Sequence, residues 1–356
     1  MLDKALGSAA ITGLIVAGCS SIGPNTIPRD RFDYSAALAD SWKHQTLLNI
    51  VKLRYLDLPV FLDVGQIVSG YSLETAVSAN ATASSPNAVQ GDFGSIGGAM
   101  RFIDRPTITY TPLTGDRFLR NMLEPFPPTA LFRLVQAGYA PDNLFELTVE
   151  SFNGLRNRSS RGTGTGSEAD PRFLRALQLL REIQDTSGIG MRFEAQSGGP
   201  GSTLVFFRPP SLEAIAGHPS EELRQLLGLE SADHRFELIY SPYQERPNQL
   251  AVRTRSLIQV LTALASFVDV PEQHLTSHAA VSVPPVPSDR PPLLRVHSGD
   301  TVPDSAFFAV PFRGSWFWIE DADLRSKSTF VSVMFLFTLT ESDEKQTRPV
   351  LTIPTS

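Results

Sequence analysis

The sequence predicts an α+β fold of mixed helices and antiparallel hairpins, with an extended Gly/Ala/Ser-rich β-hairpin and a C-terminal β-rich segment. Three observations carry that expectation. Apolar residues recur at helical spacing in several stretches, as Leu38, Trp42, Leu48, Val51 and Tyr55 do. Residues 69–111 are instead poor in large apolar side chains, with period-two alternation visible over 73–82. Helices and hairpins then follow one another without strict β-α alternation.

In chain order, residues 22–31 read as a tether, because Gly23, Pro24, Asn25 and Pro28 interrupt regular structure. Asp33 is placed to cap a helix over residues 34–55, and residues 58–68 read as a buried strand or turn-strand unit. The hairpin follows. Leu73, Thr75, Val77, Ala79 and Ala81 alternate with Glu74, Ser78, Asn80 and Thr82. A turn-like 84–88 leads to a second run over 91–101, and residues 102–110 read as a further strand with Pro106 at an edge. Helices are expected over 116–124, 128–137 and 142–155, a mobile Gly-rich loop over 157–170, and a strongly amphipathic helix over 171–185. Strands at 191–195 and 203–208 flank a Gly-rich turn. A helix at 220–227, strands at 235–240 and 250–255, and a helix at 256–268 complete that region. Past the stiff Pro-rich stretch 283–292, strands are expected at 293–297, 306–312 and 315–320, a helix at 328–340, and a terminal strand at 350–353. The organisation is therefore 1–18 signal peptide, 19–31 lipidated tether, 32–156 helical region with the hairpin inserted at about 69–111, and 157–170 flexible loop. The chain continues as 171–282 α+β region, 283–292 linker and 293–356 β-rich segment.

The N-terminus gives an address. Lys4 precedes a short apolar stretch, Ala5 to Ala17, of the length of a signal-peptide core and too short for an ordinary transmembrane helix. It ends in Val16-Ala17-Gly18-Cys19, and Cys19 is the one cysteine of the chain, which leaves no disulfide partner and no thiolate metal set. These residues resemble the lipobox of bacterial lipoproteins. The resemblance implies cleavage before Cys19, a lipid on its sulfur and acylation of the new amino terminus, and several acyl chains anchor durably where one is marginal. In such proteins an Asp after the cysteine favours the inner membrane. Ser20 stands there instead, which points to the outer membrane of a Gram-negative cell, with the body facing the periplasm. Val16 in place of the commoner Leu and the acidic Asp3 depart from that pattern.

Composition bounds the rest. Hydrophobic residues make up 42% and charged residues 19% of the 356, enough for a buried core. The net charge of -6 argues against nucleic acid as a partner. No Gly-x-Ser-x-Gly elbow and no phosphate-cradling Gly-x-x-x-x-Gly-Lys-Ser/Thr occurs. Gly162, Gly164 and Gly166 lack a preceding strand and read as loop. His274 and His278 are four apart, with Glu272 close by, yet without an HExxH pattern they read as solvated histidines rather than metal ligands. Glu320, Asp321 and Asp323 could be paired acid-base carboxylates, but beside Arg325 and Lys327 at a helix start they read as capping residues. No cofactor or metal site is expected. Trp316, Phe317 and Trp318 are the candidate partner-binding residues. The two tryptophans share one face of a strand and Phe317 the other, so the choice lies between a sheet covered on both sides and an exposed aromatic face.

Residues 27–64, 105–118 and 312–330 together resemble a family of uncharacterised proteobacterial lipoproteins. That resemblance implies the address and no activity or ligand. Two functions follow as expectations. The first is a non-catalytic binding or assembly lipoprotein of an envelope complex, anchored to the membrane by lipid and holding an envelope protein partner. The second is a subunit of an oligomeric outer-membrane pore, to which residues 69–103 contribute a hairpin. Its arms of about 11–13 residues exceed the 9–11 that a spanning strand needs, although Ala and Gly dominate where lipid-facing residues belong.

Overall fold

The computed structural model describes residues 27–68, 71–82, 93–104, 107–159, 167–194, 202–207, 218–230, 234–280 and 291–340. The fold is α+β. The chain divides into two units, residues 1–41 with 61–113, and residues 42–60 with 114–356. Cys19, the Gly162–Gly166 stretch, most of the Pro-rich stretch and the expected strand at 350–353 lie outside the described residues.

Helix α1 (Ile27–Arg54) begins earlier than its sequence suggests. Residues 27–31, read as tether, are helical. Pro28 sits in the first turn, where its missing N–H leaves no hydrogen bond unmade. Among its described residues the first unit is otherwise mainly β. Strand β1 (Leu62–Val68) pairs antiparallel with β4 (Thr107–Pro112), with a register shift between Val64 and Gln66. Strand β2 (Tyr71–Thr82) pairs antiparallel with β3 (Phe93–Asp104) along its whole length. The expected strand over 102–110 is thus divided: Phe102 to Asp104 extend β3, and Thr107 opens β4. Val68 faces Thr107 and Tyr71 faces Asp104, three positions on along one strand and three back along the other, so both ladders keep one register.

The second unit is built on a six-stranded mixed sheet in the order β6-β5-β10-β9-β8-β7. These strands are β5 (Val149–Phe152), β6 (Leu155–Arg156), β7 (Ile189–Glu194), β8 (Ser202–Phe207), β9 (Arg235–Ile239) and β10 (Gln249–Thr254). All pairings are antiparallel except β9 with β10. The helix expected over 142–155 stops at Thr148, because Asn153 (φ 42) and Gly154 (φ 84) both take positive φ in the two-residue turn that joins β5 to β6. Helices α3 (Pro128–Gln136), α4 (Pro141–Thr148) and α5 (Pro171–Asp185) pack with this sheet. Their core is a chain of rings, Phe132–Phe145–Phe152–Phe173, with successive centroids 5.0, 5.4 and 5.7 Å apart. Asp170 caps α5 by accepting from the Arg172 N–H at 2.8 Å. Before α3, the expected helix 116–124 is a short α2 (Gly115–Phe118) that runs into a π-helical turn, Leu119–Leu123.

Beyond α6 (Pro219–Leu227), α7 (Leu257–Ala265) starts from a capping box, in which Gln259 N–H donates to Ser256 Oγ and Ser256 N–H to Gln259 Oε1. A short α8 (Glu272–Thr276) follows. The last sheet has the order β11-β13-β12, from β11 (His297–Gly299), β12 (Ala306–Phe312) and β13 (Ser315–Glu320). The expected strand at 293–297 lies later, at 297–299. Helix α9 (Leu324–Thr340) is the last described element. Phe308, Val310, Phe317 and Ile319 from this sheet are buried, as are Leu47, Ile50 and Val51 of α1 and Phe330, Val333 and Leu336 of α9.

Candidate functional site

The ribbon of β2 and β3 has two chemically different faces. Alternation puts Leu73, Thr75, Val77, Ala79 and Ala81 on one face, and the register puts Phe102, Met100, Gly98, Ile96 and Gly94 opposite them. Across the register Leu73 opposes Phe102, Thr75 opposes Met100, Val77 opposes Gly98, and Ala79 opposes Ile96. This band of ten positions has no charged residue; Asp104, opposite Tyr71, stands at its base on the same face, and Ile103 and Phe93 end the second face. On the second face Glu74 opposes Arg101, Ala76 opposes Ala99, Ser78 opposes Gly97, and Asn80 opposes Ser95. Glu74, Ser78, Asn80, Ser95 and Arg101 are exposed, and the Ser78 hydroxyl donates to the Gly97 carbonyl at 3.3 Å. The sequence shows the alternation, but only the register shows that the two arms complete one apolar band.

Two further properties matter. Each strand has 12 residues, about 40 Å at ~3.3 Å per residue. Tilted by about 40°, such strands rise about 30 Å, the thickness of a bilayer's hydrocarbon core. Among the described residues β2 and β3 pair only with each other, so each carries an edge of unpaired backbone N–H and C=O groups. An isolated two-stranded ribbon is marginal in water, and open edges invite another strand.

The aromatic strand β13 sorts its residues by face. Phe317 is fully buried, with its ring edge-on to Tyr55 at 6.1 Å, and so is withdrawn from any partner. This corrects the grouping of Phe317 with the tryptophans. Trp316 and Trp318 are half-buried on the opposite face. Trp318 lies 5.8 Å from the His297 ring, and its indole N–H donates to Glu320 at 3.3 Å. Asp323 accepts from the Ser326 N–H at 3.0 Å and from its hydroxyl at 2.7 Å, while Lys327 pairs with Asp321 at 2.6 Å. Those carboxylates are committed to capping and pairing. Arg325 turns instead to Glu146, 3.5 Å away.

His274 and His278 do not share a helix face. The helix ends at Thr276, and His278 takes a positive φ of 55°. His274 Nδ1 is bonded to the Tyr55 hydroxyl at 2.8 Å. Burial pushes that phenol up to about 12, against the opposing pull of Arg54 and Arg313. Among the described residues no group of three His, Cys, Asp or Glu is arranged to hold a metal, and no helix is long and apolar enough to cross a membrane.

A cavity of about 630 Å³ opens beside the β5–β6 turn, a site that no sequence motif announces. Its walls come from β5 and β6 (Glu150, Arg156), the end of β10 (Arg253, Arg255), Tyr243, and the first turns of α7 (Gln259, Thr262). Ser159 and Ser167 stand at the rim with hydroxyls 3.0 Å apart. Arg253 Nε pairs with Glu150 at 3.1 Å. The Arg255 guanidinium is held by backbone carbonyls: it donates to Leu147 at 3.0 Å, to Glu146 at 3.3 Å and to Arg158. Burial lowers its pKa to about 10, countered in part by Glu150 and Glu146, so it stays cationic at neutral pH. Compared with known families, curated proteins and solved structures, the chain matches none.

Proposed function

We propose that this protein is a non-catalytic assembly component of the Gram-negative envelope whose copies join through the β2–β3 ribbon to close a transmembrane β-barrel. In this reading lipid on Cys19 tethers it to the outer membrane, and the α+β unit faces the periplasm. The observation that supports the reading most is an uncharged band of ten positions on one face of the ribbon, backed by exposed Glu74, Ser78, Asn80, Ser95 and Arg101 on the other, in one unbroken register. A barrel hairpin needs both faces, one for lipid and one for the lumen. Pairing β2 of one copy with β3 of the next would also satisfy the open edges. Opposed Glu74 and Arg101 would recur around the lumen as a ring of both charges. The half-buried face of Trp316 and Trp318 supports a second contact, with an envelope protein partner on the α+β unit.

The test is the oligomeric state of the full lipidated chain in detergent, by native mass spectrometry and negative-stain imaging. Wild type and Ser78→Asp are expected to form rings, and Val77→Asp to stay monomeric, because a charge on the lipid face near mid-bilayer is costly while one on the lumen face is solvated. Rings from Val77→Asp, or a monodisperse wild-type monomer, would remove this reading.

A further inference from the structure

We propose that the cavity beside the β5–β6 turn binds a small hydroxylated molecule that carries an oxyanion, a phosphate or a carboxylate. The cavity lies wholly in the second unit, so this inference stands independently of the ribbon. Its volume of about 630 Å³ is that of a pocket for a sugar-sized to drug-sized ligand.

Charge selects the ligand. Three arginines, Arg156, Arg253 and Arg255, line the cavity against one carboxylate, Glu150. Glu150 is engaged by Arg253. Among the described residues, the Arg156 side chain has no ion-pair partner and is exposed. Arg255 is fixed by three carbonyls, which take three of its five N–H donors and leave its charge in place. This buried guanidinium, with Glu150 and Glu146 nearby but its direct bonds all to carbonyls, adds positive potential at the cavity wall. An arriving oxyanion meets that potential with little reorganisation. Arg156 and Arg253 stand nearer solvent and supply the donors for direct, charge-assisted hydrogen bonds. The hydroxyl pair at the rim and the exposed Gln259 suit the hydroxyls of the ligand's body, and the ring of Tyr243, 66% exposed, suits its apolar face.

Calorimetry and thermal unfolding of the full lipidated protein in detergent test the site. The probes are glucose 6-phosphate, glucuronate, inorganic phosphate and glucose, each titrated to millimolar concentration. A raised unfolding temperature and measurable heat are expected with glucose 6-phosphate or glucuronate, and neither with glucose. The response to the first two separates phosphate from carboxylate as the favoured head. Arg156→Ala, an exposed change, is expected to weaken the favoured probe roughly tenfold or more, with the protein's own unfolding temperature unchanged. Arg253→Ala, which leaves Glu150 unpaired, is expected to abolish binding. Three results would overturn the proposal: no response to either acidic sugar, an equal response to glucose, or full affinity in both variants.

Discussion

Replacing Phe317 by alanine and, separately, Trp318 by alanine tests whether β13 is covered on one face or on both. Phe317 is at 0% exposure between Tyr55 and the core of the last sheet. Removing a fully buried phenylalanine costs about 3–5 kcal/mol, the lost burial plus the cavity left behind. In a unit of this size each kcal/mol lowers the melting temperature by roughly 2–4 °C, so a fall on the order of 6–20 °C is expected. Trp318 is half-buried. It lies beside His297 and Gly299, where an added Cβ would lie 3.2 Å from the indole, and its N–H donates to Glu320. Its truncation should cost roughly 1–2 kcal/mol, because much of its area stays in water in both states. Far-UV circular dichroism of the detergent-solubilised chain reads both changes without relying on tryptophan emission. Equal losses from the two variants would refute the assignment of faces, and with it the use of Trp318 as a partner contact.

Three other outcomes follow from the same geometry. Asn157→Ala should lose about 2–3 kcal/mol in urea unfolding, since the Asn157 amide donates to the Glu146 and Val149 carbonyls at 2.8 and 2.7 Å from a buried position; an unchanged midpoint would mean that water replaces it. Stability should also fall in acid. The Arg175 side chain holds Glu222 below the ordinary carboxylate range, and Arg172 does the same for Asp170; for Asp323, burial pushes upward but the Ser326 N–H and hydroxyl outweigh it. A carboxylate depressed in the folded state contributes fully above its unfolded pKa, near 4, and loses that contribution as pH falls through the lower folded value. The urea midpoint should therefore drop below about pH 4, and less steeply in Asp323→Asn; an identical slope in that variant would remove Asp323 from the account. In planar bilayers Arg101→Ala should shift conductance toward cations, because it leaves Glu74 alone in the proposed ring; unaltered selectivity would place that pair outside the lumen.

The fold was legible in the sequence where local signals agree. Helix α5 has Pro171 in its first turn and buries Phe173, Leu177, Leu180 and Ile183 as expected, while Leu174 is only half-buried. The two arms of the hairpin were legible from alternation, and so was the division of β13 into two faces, but not which face is buried. Misreadings arose where two signals compete. The apolar run through Leu147 and Val149 continues a helical stripe, yet Asn153-Gly154 is a hairpin turn by chemistry, and the turn prevails from Val149 onward. Pro28 reads as a breaker in isolation but is compatible with a helix's first turn. The cavity was not legible at all. Arg156, Arg253 and Arg255 come from strands far apart in sequence, and the β5–β10 pairing brings them together. The apolar band of the ribbon was hidden for a related reason. Each arm alone looks weak, and only the cross-strand register sets the apolar positions of both arms on one face.

Lipid access along the ribbon is the most direct test of the assembly. The chain has a single cysteine, and in the proposed mature protein its sulfur carries lipid. Cysteines placed one at a time from Leu73 to Asn80 can therefore be labelled selectively with an environment-sensitive fluorophore and reconstituted into liposomes of outer-membrane phospholipids. The account predicts blue-shifted, lipid-quenched emission at 73, 75, 77 and 79 and water-like emission at 74, 76, 78 and 80. Water-like emission throughout, or a profile without that two-residue period, would contradict it.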